Sequence, residues 1–216
     1  MAGQTDAVIA LIIAQIDAGE ILPGAVIDEK VVMQHCGVSR TPVREAMIRL
    51  ETDGLVQRHP RKGVTLFKPT VPEFLTILEV HANLESFAAG LAAQRITESQ
   101  KNELSAIVKA CETHATEKAH SDPAGYYQLN MQFHEIIVRA ASNDILSALV
   151  KTNARKLMSY YRLRYRSVGA SVASAVEHRK IAAHILAHQS EDAAKAMLEH
   201  FNYDRQTVMD LIASVG

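Results

Sequence analysis

Two arginines near residue 40 are spaced so that one helix could present both of them to DNA. Arg40 and Arg44 are four residues apart and therefore project from the same helix face, close to the helix start. Gly37 permits a turn with a left-handed backbone before this helix. Pro42 suits the first helical turn, where a missing N–H is no loss. A helix, a tight turn and a second helix with exposed arginines are typical of helix-turn-helix proteins, which insert the second helix into the major groove.

The charge distribution agrees with this interpretation. Residues 1–29 carry five acidic side chains and no lysine or arginine, whereas residues 30–68 carry eight basic side chains against three acidic ones. Such a local excess of positive charge can neutralise DNA phosphates. A solvated basic surface would have the same composition, so the position of the arginines in the turn-helix pattern decides in favour of DNA.

Three helices are expected in the first seventy residues. An apolar stripe of helical period covers residues 8–16 and stops at Gly19. Asp28 can cap a second helix that turns Val31 and Val32 inward. A third helix is expected from about residue 41 to residue 54, and Ser39 or Thr41 can cap it. Its buried face should hold Val43, Ala46, Met47 and Leu50.

A wing is expected to follow the third helix. Alternating apolar and polar residues predict strands over residues 55–58 and 63–67, on either side of a basic turn. The tips of such wings commonly touch DNA phosphates or the minor groove. Residues 68–72, which contain two prolines, then interrupt the pattern. They mark a boundary between a DNA-binding domain, residues 1–70, and a second domain, residues 71–216.

The second domain is expected to be all-helical, because no strand signal occurs beyond the boundary. Helical periodicity fills residues 72–95, 98–120, 124–141, 143–166, 172–188 and 190–214. Six helices with short connections imply an antiparallel bundle. The predicted fold class is therefore mainly α, with an N-terminal winged helix-turn-helix and a C-terminal all-α antiparallel bundle of about six helices.

The composition also bears on location. No run of about 18 apolar residues occurs, so we expect no membrane span and no membrane partner. Cys36 and Cys111 are isolated from each other and show no metal-type pairing. Two such thiols fit a reducing cytoplasm better than a disulfide framework. We therefore expect a cytoplasmic protein.

Three histidines of the second domain are predicted to lie on inward-facing sides of three different helices. His134 shares its helix face with Asn130, His178 lies on a later helix, and His200 lies on the last one. Inward-facing side chains of a bundle can meet around one ion. Neutral imidazole binds zinc, nickel, iron and similar divalent ions, and an Asn oxygen can add a hard ligand. Hydrogen-bonded core histidines would give the same pattern, so both interpretations stay open at this point.

Several motifs of the chain together resemble a known family. In the first domain they are residues 21–24 (ILPG), 38–46 (VSRTPVREA), 49–51 (RLE) and 54–56 (GLV), followed by Gly63. In the second domain they are Leu84 and Glu85, residues 130–134 (NMQFH), residues 142–146 (SNDIL), Glu177 and His178, and His200. The first set resembles the winged-helix domain of GntR-type bacterial transcription regulators. The second resembles the helical effector domain, named FCD, of the FadR-like branch, and six helices are typical of its VanR-type subgroup.

The resemblance implies a homodimer that binds a palindromic operator in double-stranded DNA. It also implies that a small carboxylate-type effector enters the helical domain and changes DNA binding. The residues expected to contact DNA are Ser39, Arg40, Thr41, Arg44, Arg49, Arg61, Lys62 and Gly63. Many relatives hold a divalent metal through one acidic residue and three histidines. By position, the ligands here would be Asn130, His134, His178 and His200, with zinc as the first expectation and nickel, iron or manganese as alternatives.

Two positions depart from the family pattern. Relatives usually carry Asp where this chain has Asn130, so the site loses a negative charge and becomes more favourable to an anion at the metal. Relatives often carry an effector-binding Arg where this chain has His81. We expect His81 and Arg139 to face the effector. The other arginines that could replace the missing one are Arg155, Arg162, Arg164 and Arg166, although residues 160–166 are interpreted as a partly exposed helix face.

The expected function is a ligand-responsive transcription regulator, a repressor by preference, and not an enzyme. Three alternatives compete with it. A metal-dependent enzyme could use three histidines and an open metal position, but no Glu or Asp is placed as a general base. A direct metal sensor would use the ion itself as the signal. In a third alternative the bundle serves dimerisation alone.

Overall fold

The computed structural model describes residues 3–118 and 121–202. The chain divides into two compact units, Met1–Thr70 and Val71–Gly216, which we call the head and the helical domain. Within the described residues, no helix combines the length and the apolar character that crossing a bilayer requires.

The head consists of three helices and a small sheet. Its elements are α1 (Gln4–Ala18), β1 (Val26–Ile27), α2 (Glu29–Cys36), α3 (Arg40–Thr52), β2 (Val56–His59) and β3 (Gly63–Leu66). The sheet is antiparallel with the order β1-β3-β2. The helices and the two-stranded wing are confirmed, whereas β1 was not predicted. A strand of two residues is too short to show alternation, and only its pairing with β3 defines it.

The turn between α2 and α3 explains how the arginine-bearing helix is held. The Asp28 carboxylate caps α2 by accepting hydrogen bonds from the backbone N–H groups of Lys30, at 2.8 Å, and Val31, at 3.4 Å. Gly37 ends α2 with a φ of 63°, a conformation that glycine adopts without strain. Ser39 occupies the N-cap position of α3.

One core assignment in the head is wrong. Val31 was expected to face inward together with Val32, but its side chain is 54% exposed, whereas Val32 is 4% exposed. Consecutive residues of a helix point in directions about 100° apart, so α2 can turn only one of the two toward α3. The predicted inner face of α3 is confirmed, and its four apolar residues are at most 1% exposed.

The helical domain contains six helices within the described residues. They are α4 (Val71–Arg95), α5 (Glu98–Glu117), α6 (Pro123–Ala140), α7 (Asp144–Arg164), α8 (Ala170–Leu186) and α9 (Ser190–His200). Residues 119–120 and 203–214 of the predicted helices lie outside the described residues. Helix α4 packs against α6, α7, α8 and α9, so side chains from several helices can meet beside it.

Polar caps define where these helices begin. The Thr97 hydroxyl accepts from the N–H of Gln100 at 3.4 Å, and the Asn143 side chain accepts from the N–H of Leu146 at 3.0 Å. The Asp122 carboxylate accepts from the N–H of Gly125 at 2.8 Å. Each bond satisfies a backbone donor that has no partner inside its own helix. These caps fix the starts of α5, α7 and α6, and α6 is the helix that carries Asn130 and His134.

Candidate functional site

One face of α3 is buried in the head, and the opposite face carries two arginines. Arg40 is the first residue of the helix and Arg44 lies about one turn later, and both are exposed. The apolar face beneath them includes Val43 and Met47, each 0% exposed. Packing of that face fixes the direction in which the arginines point. A recognition helix approaches base edges with this N-terminal end.

Arg40 and Arg44 share a cleft with a third arginine, Arg58. The cleft is lined by Glu29 of α2, Arg40 and Arg44 of α3, and Arg58 of β2. Arg58 lies 3.5 Å from Glu51 and 4.0 Å from Glu29, measured between side-chain nitrogen and oxygen. We call these four lining residues the arginine cleft. Sequence reasoning left Arg58 as an ordinary surface residue, because only the pairing of β2 with β3 brings it beside α3.

The wing tip presents its basic residues to solvent. Arg61 and Lys62 are exposed, and the Lys62 N–H donates to the His59 carbonyl oxygen at 3.3 Å to close the turn. Arg61 has a φ of 71° and Gly63 a φ of 80°. Two left-handed residues within three positions fold the chain back tightly, so the basic side chains stand at the end of the hairpin.

The remaining residues expected to contact DNA differ in their surroundings. Ser39 and Thr41 are exposed beside the start of α3, and the Ser39 side chain makes no capping hydrogen bond. Arg49 lies in the last turn of α3, where its guanidinium donates to the Asp6 carboxylate of α1 at 2.9 Å. A rise of 1.5 Å per residue separates Arg49 from Arg40 by about 14 Å along the helix axis. Arg49 is therefore not part of the arginine cleft.

The helical domain brings three histidines together in its interior. His134 comes from α6, His178 from α8 and His200 from α9, and one ring nitrogen of each lies within 4.8 Å of the others. The three side chains, which we call the histidine cluster, are buried. Their ring centroids are 4.9–5.5 Å apart. Three imidazoles at this spacing can bind one ion.

Each histidine of the cluster has a polar partner at one ring nitrogen. His200 Nδ1 lies 2.6 Å from the Glu177 carboxylate, and His134 Nδ1 lies 3.3 Å from the Glu85 carboxylate. His178 Nε2 lies 3.3 Å from the Ser174 hydroxyl. Carboxylates at Nδ1 fix the tautomer of a metal-binding imidazole and orient its ring. The hydrogen bond to Glu177 thus leaves His200 Nε2 for an ion, and the contact with Ser174 leaves His178 Nδ1. The contact of His134 Nδ1 with Glu85 lacks hydrogen-bond geometry, so it does not fix which His134 nitrogen would face an ion.

Burial keeps imidazoles of this region in the neutral form that metals require. Desolvation lowers the pKa of His200 to about 4, despite the nearby Glu177 carboxylate. Desolvation, followed by the effect of the neighbouring His200 and His134, also lowers the pKa of His178 well below its usual value. His178 Nδ1 has no hydrogen-bond partner among the described residues. A buried nitrogen left without a partner is unfavourable, so a bound ion would satisfy it.

Asn130 belongs to the same polar interior. Its side chain is 4% exposed, and its Oδ1 accepts a hydrogen bond from the Tyr165 hydroxyl at 2.8 Å. The Tyr165 oxygen is in turn 3.3 Å from the Ser174 oxygen. An amide oxygen has two lone pairs, so Oδ1 can accept from Tyr165 and still contact an ion.

A small cavity adjoins the histidine cluster. Its volume is about 20 Å³. The lining residues are His81, Glu85, Asn130, Met131, His134, Ala154, Tyr161, Arg164, Tyr165, His200 and Phe201. A space of this size holds about one water molecule. The cavity therefore fits an ion and little else in this conformation.

Glu85 is a buried carboxylate that lines the cavity and lies beside His134. It is 1% exposed on α4, and His81 lies beside it with 3.7 Å between Nε2 and Oε1. Burial raises the pKa of Glu85, but the contacts with His134 and His81 outweigh burial and lower it, so the carboxylate stays charged. Sequence reasoning used Glu85 only as a family motif. The sequence signal that could have identified Glu85 is a charged residue on an apolar helix face, four positions after His81.

Comparison with known proteins decides the family. The model of the FCD domain matches residues 76–203, more than half of the chain, and the model of the gntR family of bacterial regulatory proteins matches residues 4–66. The chain belongs to the GntR family. It is 32% identical over 190 residues to the HTH-type transcriptional regulator YdhC of Bacillus subtilis, covering 86% of this chain and 82% of YdhC.

Other known proteins are similar to this chain in sequence or in fold. The HTH-type transcriptional repressor RspR of Escherichia coli is 32% identical over 121 residues, which cover 56% of this chain and 52% of RspR. E. coli McbR/YncC superposes with a TM-score of 0.79 at 19% identity, and both chains are covered completely. A GntR regulator from Rhodococcus sp. RHA1 gives a TM-score of 0.73 at 18% identity, with 99% of both chains covered. YdhC, RspR and the Rhodococcus protein are named as regulators, not as enzymes.

The structure separates the two residues expected to face the effector. His81 lines the cavity, whereas Arg139 does not. The Arg139 guanidinium forms an ion pair with Glu103, and its side chain is 53% exposed. Residues 160–166 were expected to form a partly exposed helix face, but Tyr160, Tyr161 and Tyr165 are buried, and the latter two line the cavity. The aromatic rings turn this end of α7 inward, and Arg164 is carried with them to the cavity.

Proposed function

We propose that this chain is a ligand-responsive, sequence-specific transcription regulator of the cytoplasm. Residues 1–70 would bind a palindromic operator, and residues 71–216 would bind a divalent metal and a small organic acid. The observation that carries the proposal is the histidine cluster, which joins three separate helices in the interior of an FCD domain. Repression is the expected direction, since the relative RspR is named a repressor.

For DNA binding, the proposal rests on the exposed arginines of the head. Arg40 and Arg44 would contact base edges, with Arg58 beside them in the arginine cleft. Phosphate contacts would come from the hydroxyls of Ser39 and Thr41 and from the wing tip, where Arg61 and Lys62 directly precede Gly63 in the tight turn. Phosphate contacts supply affinity, and base contacts supply sequence preference.

A homodimer is supported by exposed apolar side chains on two neighbouring helices. Val80 and Phe87 of α4 are 52% and 56% exposed, and Ile145 and Leu149 of α7 are 77% and 50% exposed. Helices α4 and α7 pack against each other. Apolar side chains gathered on one pair of helices mark a surface that association would cover. Six helices among the described residues also support the VanR-type subgroup.

The metal would be held by His134, His178 and His200, with the Asn130 oxygen as a fourth ligand. Zinc suits three imidazoles best, and nickel, iron and manganese are the alternatives. When bound, the ion would supply an electrophilic centre for the carboxylate of an effector. The effector changes DNA binding only if it has different affinities for two arrangements of the protein.

A direct metal sensor is the second candidate, and the cavity volume favours it. About 20 Å³ accommodates an ion, but a carboxylic acid would need the cavity to enlarge. In this alternative the metal alone changes DNA affinity, and organic acids have no effect.

The test combines metal analysis with DNA binding. Full-length protein is purified, its metal content is measured, and bound fragments are selected from genomic DNA. We expect one divalent ion per chain, specific fragments, and release of DNA by an acid in a manner that a chelator abolishes. Release by metal without acid would favour the sensor. Absence of bound metal together with an unchanged response to acids after chelation would refute the metal-anchored site.

A further inference from the structure

A chain of polar contacts connects Asn130 of α6 to His178 of α8 through two hydroxyl groups. The Tyr165 hydroxyl donates to Asn130 Oδ1 at 2.8 Å, and its oxygen lies 3.3 Å from the Ser174 oxygen. Ser174 Oγ lies 3.3 Å from His178 Nε2. All four residues are at most 4% exposed, so bulk water does not compete for these contacts. We call these four residues the hydroxyl relay.

The order of donors and acceptors in the hydroxyl relay is fixed at its Asn130 end. A hydroxyl group has one hydrogen to donate, and an amide oxygen can only accept. Because Tyr165 gives its hydrogen to Asn130, Ser174 must be the donor in the contact between the two hydroxyl oxygens. Only the oxygen lone pairs of Ser174 then remain for His178. His178 must therefore donate to Ser174, which requires a hydrogen on Nε2.

Ser174 also acts on the Tyr126 hydroxyl, and this contact leads to the same order. Burial raises the pKa of Tyr126, and a hydrogen bond with Ser174 opposes that rise. Whichever of the two tyrosine oxygens accepts it, the Ser174 hydrogen is not available to His178.

The second nitrogen of His178 gives an independent argument. Burial lowers the pKa of His178 well below its usual value, so the neutral ring has one hydrogen to place. Nδ1 is buried and has no hydrogen-bond partner among the described residues. A hydrogen there would be a buried donor without an acceptor, which is unfavourable. With the hydrogen on Nε2, Ser174 accepts it and Nδ1 carries a lone pair.

Packing holds the His178 ring in the orientation that the hydroxyl relay requires. The Phe133 ring stacks on it with 3.9 Å between centroids and 12° between planes. The other two rings of the histidine cluster lie 4.9 Å and 5.5 Å away between centroids. Turning the ring over would also take Nε2 away from Ser174, so one orientation is favoured.

We propose that Tyr165 and Ser174 are positioning residues that hold the hydrogen of His178 on Nε2 and leave the Nδ1 lone pair for a divalent ion. The inference rests on the proposed function for the ion alone, since the hydrogen position is a property of the metal-free protein. Asn130 anchors the hydroxyl relay by accepting from Tyr165, and its second lone pair can contact the ion. An imidazole already in the binding tautomer needs no proton shift before it binds a metal.

The first test measures the hydrogen position in metal-free protein. Full-length protein labelled with ¹⁵N-histidine is treated with a chelator at pH 7.5, and its imidazole nitrogens are recorded by two-bond ¹H–¹⁵N NMR. Signals that disappear in His178→Ala are assigned to His178. We expect a protonated Nε2 and an unprotonated Nδ1. A protonated Nδ1 in wild type would overturn the proposal.

The second test interrupts the hydroxyl relay. Ser174→Ala removes the acceptor of the Nε2 hydrogen, and Tyr165→Phe frees the Ser174 hydrogen to point at His178. In both variants we expect NMR signals of the Nδ1-protonated form and a zinc Kd raised about 10- to 100-fold, the range for residues that orient a metal ligand. Competition with a chelator measures the zinc Kd. The matched control is Ser171→Ala, because Ser171 is also buried on α8 and should keep both wild-type values.

Each link of the hydroxyl relay has its own variant, so one can replace the other if circular dichroism shows that it fails to fold. Because both links belong to one relay, the double variant should raise the zinc Kd no further than the more affected single variant. Additive effects would overturn the relay, and so would a wild-type tautomer and zinc Kd in folded Ser174→Ala. If wild type has its hydrogen on Nε2 but binds no zinc, the proposed metal site fails and the hydroxyl relay stands.

Discussion

The arginine cleft and the histidine cluster place nitrogen-bearing side chains in opposite environments. The arginines are exposed, and they come from residues 40–58 of one short segment. The histidines are buried, and they come from three helices spread over residues 134–200. Exposed charges remain hydrated until DNA replaces the water, so altering them should change binding and leave the fold intact. Buried imidazoles contribute to packing, so altering them should change metal binding and stability together.

The largest effect is expected when one buried imidazole is removed. His178→Ala leaves two of the three proposed nitrogen ligands and opens a space beside Phe133, whose ring stacks on His178 with 3.9 Å between centroids. We expect zinc affinity to fall more than about 100-fold, beyond the 10- to 100-fold typical of changes to residues that only orient a ligand. Competition for zinc with a chelator measures this fall in affinity.

The matched control for His178→Ala lies on the same helix. His184 pairs with Gln189 near the end of α8 and takes no part in the histidine cluster. His184→Ala should retain wild-type zinc affinity. If the two variants bound zinc equally well, the histidine cluster would not be a metal site, and the three histidines would be core residues.

The second prediction concerns pH and metal-free protein. His81 and His200 have pKa values of about 4 in the folded protein, against about 6.5 in an unfolded chain. The unfolded state therefore takes up protons first as the pH falls. The free energy of unfolding should drop between about pH 6.5 and pH 4, by up to roughly 3 kcal/mol for each histidine. Denaturant unfolding of chelator-treated protein at pH 7, 5.5 and 4.5, followed by circular dichroism, measures the drop.

A variant of His81 sharpens the pH prediction. His81→Gln keeps a neutral hydrogen-bonding group near Glu85 but cannot take up a proton. The free energy of unfolding should therefore fall less between pH 7 and pH 4.5 than it does in wild type, because His81 no longer contributes to the fall. An identical pH profile in both proteins would mean that His81 is not held neutral by burial.

The third prediction concerns the exposed side of the comparison. Arg44→Ala should weaken binding to a selected genomic fragment by about 1–3 kcal/mol, the value of a good arginine–guanine contact, while the melting temperature stays unchanged. Fluorescence anisotropy at one fixed salt concentration measures affinity. Arg179→Ala is the control, since Arg179 is exposed in the helical domain and pairs with Glu112. Specific binding that survives Arg44→Ala undiminished would contradict the docking of α3 into the groove.

The same contrast explains what could be predicted from sequence. Helix periodicity, the cap at Asp28 and the turn at Gly37 are local signals, and they yielded the winged head and the mainly α fold. The arginines of α3 belong to that local pattern. The role of Arg58 depends on strand pairing, and β1 is too short to leave a periodic trace. The three histidines were identified by the apolar faces they occupy and by a family resemblance, and their proximity requires the packed helices.

The residues that sequence reasoning missed are those defined by partners far away in the chain. Glu85 is meaningful because His134, on another helix, lies beside it. Arg164 was one of five arginines of equal standing, and the burial of Tyr161 and Tyr165 is what turns this part of α7 toward the cavity. Aromatic residues in a basic segment fit an exposed face as well as a buried one, because the period alone does not show which side meets a neighbouring helix.

The smallest expected effect concerns Arg49, which tests how far along α3 the contacts with DNA extend. Arg49 pairs with Asp6, and both side chains are more than half exposed. An exposed pair of this kind contributes about 0–1 kcal/mol to stability. Since Arg49 lies about 14 Å along the helix from Arg40, Arg49→Ala should reduce DNA affinity much less than Arg44→Ala in the same anisotropy measurement.

Asp6→Ala releases the Arg49 guanidinium and separates two explanations. If Arg49 reaches phosphate, this variant binds DNA more tightly and its affinity depends more steeply on salt. If the end of α3 points away from DNA, Asp6→Ala and Arg49→Ala both leave affinity close to that of wild type.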